Sequence, residues 1–172
     1  MKKLNVNRII NILLIVLVVY TFGQRIPQWW ELWQEEGKST QAIELTKTDD
    51  KTVSLPILGE KNIFIFWATW CGPCTVELNR INEAIKNSEI DARFVHAISL
   101  QEEFSLVKQT ALDRGYLFNV YADSTGKSLQ QYKVNGTPTI YLIDEKGVVS
   151  FSSMGLSPLL IKRAKDFISS TP

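Results

Sequence analysis

Residues 63–67, Ile-Phe-Ile-Phe-Trp, are apolar without interruption, and they lead directly into Cys71-Gly72-Pro73-Cys74 and a helical period at Leu78, Ile81 and Ile85. A strand with no polar alternation must be covered on both faces. A helix directly after it therefore predicts a sheet with helices packed against either side. The remaining segments agree. Strands are expected at 62–67, 92–99, 119–122, 139–143 and 148–153, helices at 73–88, 102–114 and 158–168, a helical turn at 127–132 and a tight turn at 144–147. Strands that alternate with helices and then close in a hairpin give the α/β class with a central mixed sheet flanked by helices. Upstream, 35–48 is polar and reads as a linker leading to an edge element near 52–55, so the folded domain is placed at 41–172. A chain of 172 residues, 45% hydrophobic, suffices for one such domain without covalent staples.

The N-terminus has a different composition. Lys2, Lys3 and Arg8 are unaccompanied by acids, and 9–22 then runs apolar apart from Asn11 and Thr21. This is the layout of a secretory signal or a signal anchor. The apolar run rises about 21 Å as a helix, short of the roughly 30 Å hydrocarbon core, so a span must include 23–27 with Arg25 snorkelling to the interface. No small-residue cleavage site comes after it, and Trp29, Trp30 and Trp33 stand where amphipathic rings prefer the headgroup layer. The expectation is a cytoplasmic basic segment 1–8, a transmembrane helix 9–27, a juxtamembrane linker 28–40 and a domain outside the cytoplasm. A cleaved signal and a buried helix are the alternatives.

Only two cysteines are present, and a bond between them closes a loop too small to stabilise much. The pair is therefore chemistry before scaffolding. Cys71 falls where a helix begins, and there unpaired amides and the helix dipole favour a negative sulfur. Cys71 is accordingly the attacking nucleophile and Cys74, one turn further in, resolves the mixed disulfide. Pro73 suits a first helical turn, and Gly72 leaves the approach to Cys71 open.

In Phe66-Trp67-Ala68-Thr69-Trp70-Cys71-Gly72-Pro73-Cys74 and in Val134-Asn135-Gly136-Thr137-Pro138-Thr139 the chain resembles the thioredoxin superfamily, and specifically its membrane-tethered TlpA-like branch of ResA and DsbE (CcmG) type proteins. The resemblance covers about 41–169. It implies a thioredoxin-like fold, a redox-active disulfide between Cys71 and Cys74, and a cis Pro138 with Thr137 beside the Cys71 sulfur, where the backbone binds an extended substrate segment. One departure stands out: the buried acid that thioredoxin carries before its motif is replaced by Ile65. Glu77, three residues after Cys74 and on its helical face, matches the glutamate of ResA-type proteins and is the candidate acceptor of the Cys74 proton.

Other residues read as structural. Phe66 and Trp67 belong to the core, Asp123 to a turn or cap, the sole histidine His96 to a packed strand, and Lys162, Arg163 and Lys165 to a solvated face; Trp70 packs beside the active-site turn and shapes the surface offered to a partner. The expected activity is thiol:disulfide exchange that reduces extracytoplasmic client proteins, apocytochrome c being a frequent client in such families, with re-reduction by a membrane electron donor. No cofactor or metal is expected, and a net charge of +1 gives no case for nucleic acid. Three alternatives are a disulfide-donating oxidant, a thiolate module binding Cu(I) or Zn, and a tethered interaction module with an idle dithiol.

Overall fold

The computed structural model describes residues 6–23 and 34–170. Helix α1 (Val6–Gly23) precedes the domain and leaves its apolar side chains uncovered, as at Leu13 (63% exposed) and Val19 (65%). Among the described residues no helix is long and apolar enough to cross a membrane. The expected extension through 24–27, the three tryptophans at 29, 30 and 33, and the basic residues 2 and 3 lie outside the described residues.

The domain is built from β1 (Ile43–Lys47), β2 (Thr52–Leu55), β3 (Asn62–Trp67), α2 (Gly72–Lys86), β4 (Val95–Leu100), α3 (Phe104–Asp113), β5 (Asn119–Asp123), α4 (Lys127–Gln131), β6 (Thr139–Ile143), β7 (Val149–Met154) and α5 (Leu160–Ser169). Seven strands form one sheet in the order β2-β1-β5-β4-β3-β6-β7. Strands β3, β4 and β5 run parallel, and the pairs β1–β2, β1–β5, β3–β6 and β6–β7 are antiparallel. This is the mixed α/β sheet expected from the alternation of elements.

Every residue of β3 is buried, and its two faces feed two cores. Ile63, Ile65 and Trp67 pack with Leu78 and Ile81 of α2, Val107 and Ala111 of α3, and Leu160 and Ala164 of α5. Phe64 and Phe66 point the other way, into Ile98, Tyr121, Tyr132 and Tyr141 beneath the β1–β2 ribbon and α4. Aromatic edges meet there: Phe66 and Tyr141 stand at 89° with centroids 5.8 Å apart. His96 is part of this layer, its Nδ1 3.1 Å from the Tyr121 hydroxyl, and burial holds its imidazole down to about 4. Asp123 has the turn role that its neighbours implied, accepting from the Ser128 amide in the first turn of α4 at 2.7 Å and from the Thr125 hydroxyl at 2.8 Å.

One element reading is corrected. Within 35–48, read as linker, Ile43–Lys47 is a strand lying between β2 and β5, with Ile43 and Leu45 buried and Glu44 exposed. A period-2 signal of only two apolar residues was submerged in polar sequence. Residues 34–40 are also held: the Gly37 and Thr40 amides donate to the carbonyls of Val149 and Gly147, both at 2.8 Å, and Ser39 bridges Val148. This strap pairs with the turn before β7 and with its first residue.

Lys61, just before β3, is 8% exposed and turns its ammonium onto the end of α5. Its Nζ donates to the carbonyls of Phe167 (2.7 Å), Ile168 (3.3 Å) and Ser170, at the helix end where carbonyls run out of intrahelical partners. Lys61→Met is expected to lower the unfolding free energy by about 1–3 kcal/mol, measured by urea titration, while the exchange rate of the cysteine pair stays unchanged. An unaltered urea midpoint would show that the C-terminal helix needs no cap from this residue.

Candidate active site

The end of β3 and the start of α2 are joined by a tight turn, closed by the Cys71 amide donating to the Ala68 carbonyl at 3.1 Å. Cys71 is the N-cap of α2 with extended backbone, and its sulfur accepts the Cys74 amide at 3.2 Å. The two cysteines are joined in a disulfide with Cα atoms 5.2 Å apart. Cys74 is fully buried and Cys71 is 5% exposed, so the outer sulfur is the one a partner reaches first. Pro73 takes the first turn of α2. Gly72 is exposed, and a Cβ there meets no atom within 4 Å, so nothing crowds the approach to Cys71.

Trp70 is 80% exposed. The expected packing of this ring against the turn is therefore corrected: flanked by a solvent-facing turn, it has no neighbouring wall to bury against, and it stands as surface next to Cys71. Phe66 and Trp67 are fully buried, as their unbroken apolar run implied.

Thr137–Pro138 is a cis peptide bond, and so is Leu55–Pro56. Pro138 is buried and Thr137 half-buried. Pairing of Thr139 with Phe66 in the β3–β6 ladder places this loop at the end of the sheet from which the Ala68–Cys71 turn departs. The loop after β7 joins the same end, with the Gly155 amide donating to the Pro138 carbonyl at 2.7 Å. It is also tied to α2, because Arg80 donates to the carbonyls of Ser157 and Pro158, each at 3.0 Å.

Glu77 shares the buried face of α2 with Cys74, Leu78 and Ile81 and has no solvent exposure. Its Oε2 accepts from Arg80 at 3.0 Å, whereas its Oε1 is buried without a hydrogen-bond partner. Burial pushes the Glu77 carboxyl above its ordinary value, and the guanidinium of Arg80 only partly opposes this. A carboxyl one helical turn from Cys74, with its Oε1 buried and without a hydrogen-bond partner and its pKa raised, is equipped to take a thiol proton. Among the described residues no group of three or more His, Cys, Asp or Glu side chains forms a metal cluster.

Two residues at this site escaped the sequence reading. Glu102 and Arg114 both bind Thr69, inside the active-site turn, the carboxylate at the Thr69 amide and the guanidinium at the Thr69 carbonyl. Neither lies in a recognisable motif, and only the fold brings them to residue 69.

Residues 37–152 match the AhpC/TSA family. Sporulation thiol-disulfide oxidoreductase A of Bacillus subtilis is 25% identical over 138 residues, 78% of this chain and 82% of that protein. Thiol-disulfide oxidoreductase ResA of Bacillus anthracis is 32% identical over 114 residues, 66% of each chain. Among solved structures, a putative thiol:disulfide interchange protein DsbE from Chlorobium tepidum matches with a TM-score of 0.66 and 26% identity, over 77% of this chain and 94% of that one.

The raised carboxyl at Glu77 carries a linkage consequence. Its protonated form is favoured by folding, so the associated stability is complete below the unfolded value and lost as pH rises through the folded one. Glu77→Gln should therefore gain stability relative to the parent chain as pH rises above the ordinary glutamate range, read from urea midpoints at each pH. Two parallel stability profiles would rule out a raised Glu77.

Proposed function

The chain belongs to the AhpC/TSA family, among its thiol-disulfide oxidoreductases of the ResA and DsbE type, and from that membership we propose that it works as a reductant of client disulfides outside the cytoplasm. It is a thiol:disulfide oxidoreductase acting on disulfide-containing client proteins. The observation that carries the reading is the seat of Cys71 at the cap of α2, with the Cys74 amide on its sulfur and Glu77 buried one turn beyond Cys74.

In the proposed cycle the Cys71 thiolate, favoured by the amides and dipole of α2, attacks one sulfur of a client disulfide. A mixed disulfide forms and one client thiolate leaves. Glu77 takes the Cys74 proton, and the Cys74 thiolate attacks the Cys71 sulfur and displaces the second client thiolate. The client gains two electrons and the chain is left with the Cys71–Cys74 disulfide, which a dithiol donor in or at the membrane reduces again. Trp70, Gly72 and Pro73 form the surface met by the client, and the backbone at Thr137, held by cis Pro138, pairs with its extended segment. Gly72-Pro73 between the cysteines favours reduction over disulfide donation, and haem-attachment cysteines of apocytochrome c are a client class that fits.

We assign residues 9–27, which take in most of α1, to a membrane anchor, with 1–8 cytoplasmic, 28–40 juxtamembrane and 41–172 on the outer face. Apolar side chains exposed around α1 and the basic residues before it support this.

The first test is the reduction potential of the pair in the full chain, by equilibration with a thiol buffer of known poise. A value near about −270 mV or lower is expected, and one near about −120 mV would make the chain a disulfide donor. Glu77→Gln is expected to slow client reduction at neutral pH by about tenfold or more, with recovery as pH rises. An unchanged rate-versus-pH profile would remove Glu77 from the proton path.

A further inference from the structure

Thr69 is the first central residue of the turn that delivers Cys71, and almost every polar group it has is gripped from elsewhere. Its amide donates to both oxygens of Glu102, at 3.1 and 2.9 Å, and its hydroxyl donates to Oε1 of the same carboxylate. Its carbonyl accepts from Arg114 at 3.0 Å. Glu102 is 8% exposed and is steadied by the Ser99 hydroxyl at the end of β4. Arg114 is steadied by the Tyr116 hydroxyl at 3.3 Å, and its guanidinium stands 6.0 Å from the centre of the Trp67 ring. The two residues flank α3, one before its first turn and one after its last, so this helix brackets the active-site turn with an acid and a base.

Both oxygens of Glu102 are occupied by donors, in contrast to Glu77 with its unengaged Oε1. Glu102 is thus poorly placed to collect a proton and well placed to hold a backbone. Hydrogen bonds to a charged partner are the strong ones, and a residue held at both its N–H and its C=O has little freedom to rotate. The turn it fixes decides where the Cys71 sulfur sits relative to the first amides of α2. Those amides stabilise the thiolate only while they point at it.

We infer that Glu102 and Arg114 are positioning residues for thiol-disulfide exchange, clamping Thr69 so that the Ala68–Cys71 turn holds the Cys71 sulfur against the amides of α2. The inference rests on the oxidoreductase reading for its purpose, but its physical content is the ionisation of one thiol. Alkylation of the reduced full chain by iodoacetamide, monitored by mass at Cys71 across pH, reports that ionisation without any client.

Glu102→Ala is expected to shift the labelling midpoint upward by about one pH unit, an approximately tenfold loss of thiolate at neutral pH. Glu102→Gln, which keeps an acceptor for the Thr69 amide, should restore most of it. Arg114→Leu, at a half-buried side chain outside the core, should shift the midpoint in the same direction and keeps the test decisive if Glu102→Ala does not fold. A midpoint unmoved in both truncations, with only stability lost, would overturn the clamp. So would a midpoint lowered equally by Ala and Gln, because the carboxylate would then act through its charge. Failure of the parent chain to reduce a client disulfide, with the variant midpoints shifted as expected, would instead count against the proposed function and leave the clamp standing.

Discussion

Burial of β3 on both faces is the constraint on which the rest of this structure depends. Five consecutive large apolar side chains cannot be hidden by one layer, so α2, α3 and α5 cover one face and the β1–β2 ribbon with α4 covers the other. Strand β3 is paired on both sides as well, with β4 and β6. A strand fixed in all directions makes a rigid base for the segment it leads into. That segment is the Ala68–Cys71 turn with the N-terminus of α2, so the reactive sulfur is carried by the most fully enclosed part of the sheet.

The chemistry at that point is built from contrasts in burial. The Cys71 sulfur is nearly covered, Cys74 is closed off, and the Glu77 carboxyl one helical turn further is fully buried. Desolvation raises the Glu77 carboxyl above its ordinary value, while the Arg80 guanidinium opposes part of that rise. The same Arg80 ties α2 to the loop after β7, and that loop is tied to Pro138. Helix, loop and cis-proline segment are therefore coupled through one guanidinium and one amide.

Much of this was legible in the residues. The unbroken run in β3, the helical period after it and the placement of Cys71 between them were local signals, and each element from 62 onward lies within a few residues of its expected bounds. Asp123 and His96 took the structural roles that their neighbours implied. Strand β1 was not legible, because two apolar residues in a polar stretch acquire meaning only when β5 and β2 flank them. The exposure of Trp70 and the depth of Glu77 were hidden for a similar reason, since a helical face can be read from spacing but its distance from solvent depends on what packs over it. Glu102 and Arg114 lie 33 and 45 positions from Thr69, and no periodicity links them.

The strap along β7 has a consequence for how this sheet meets other chains. A row of unpaired amides and carbonyls invites another chain to extend the ladder. Here residues 37–40 pair with Gly147–Val149 at the start of one border strand, and the other border is β2, only four residues long. An added chain is thereby denied the first rung of β7, which the strap already occupies with backbone hydrogen bonds.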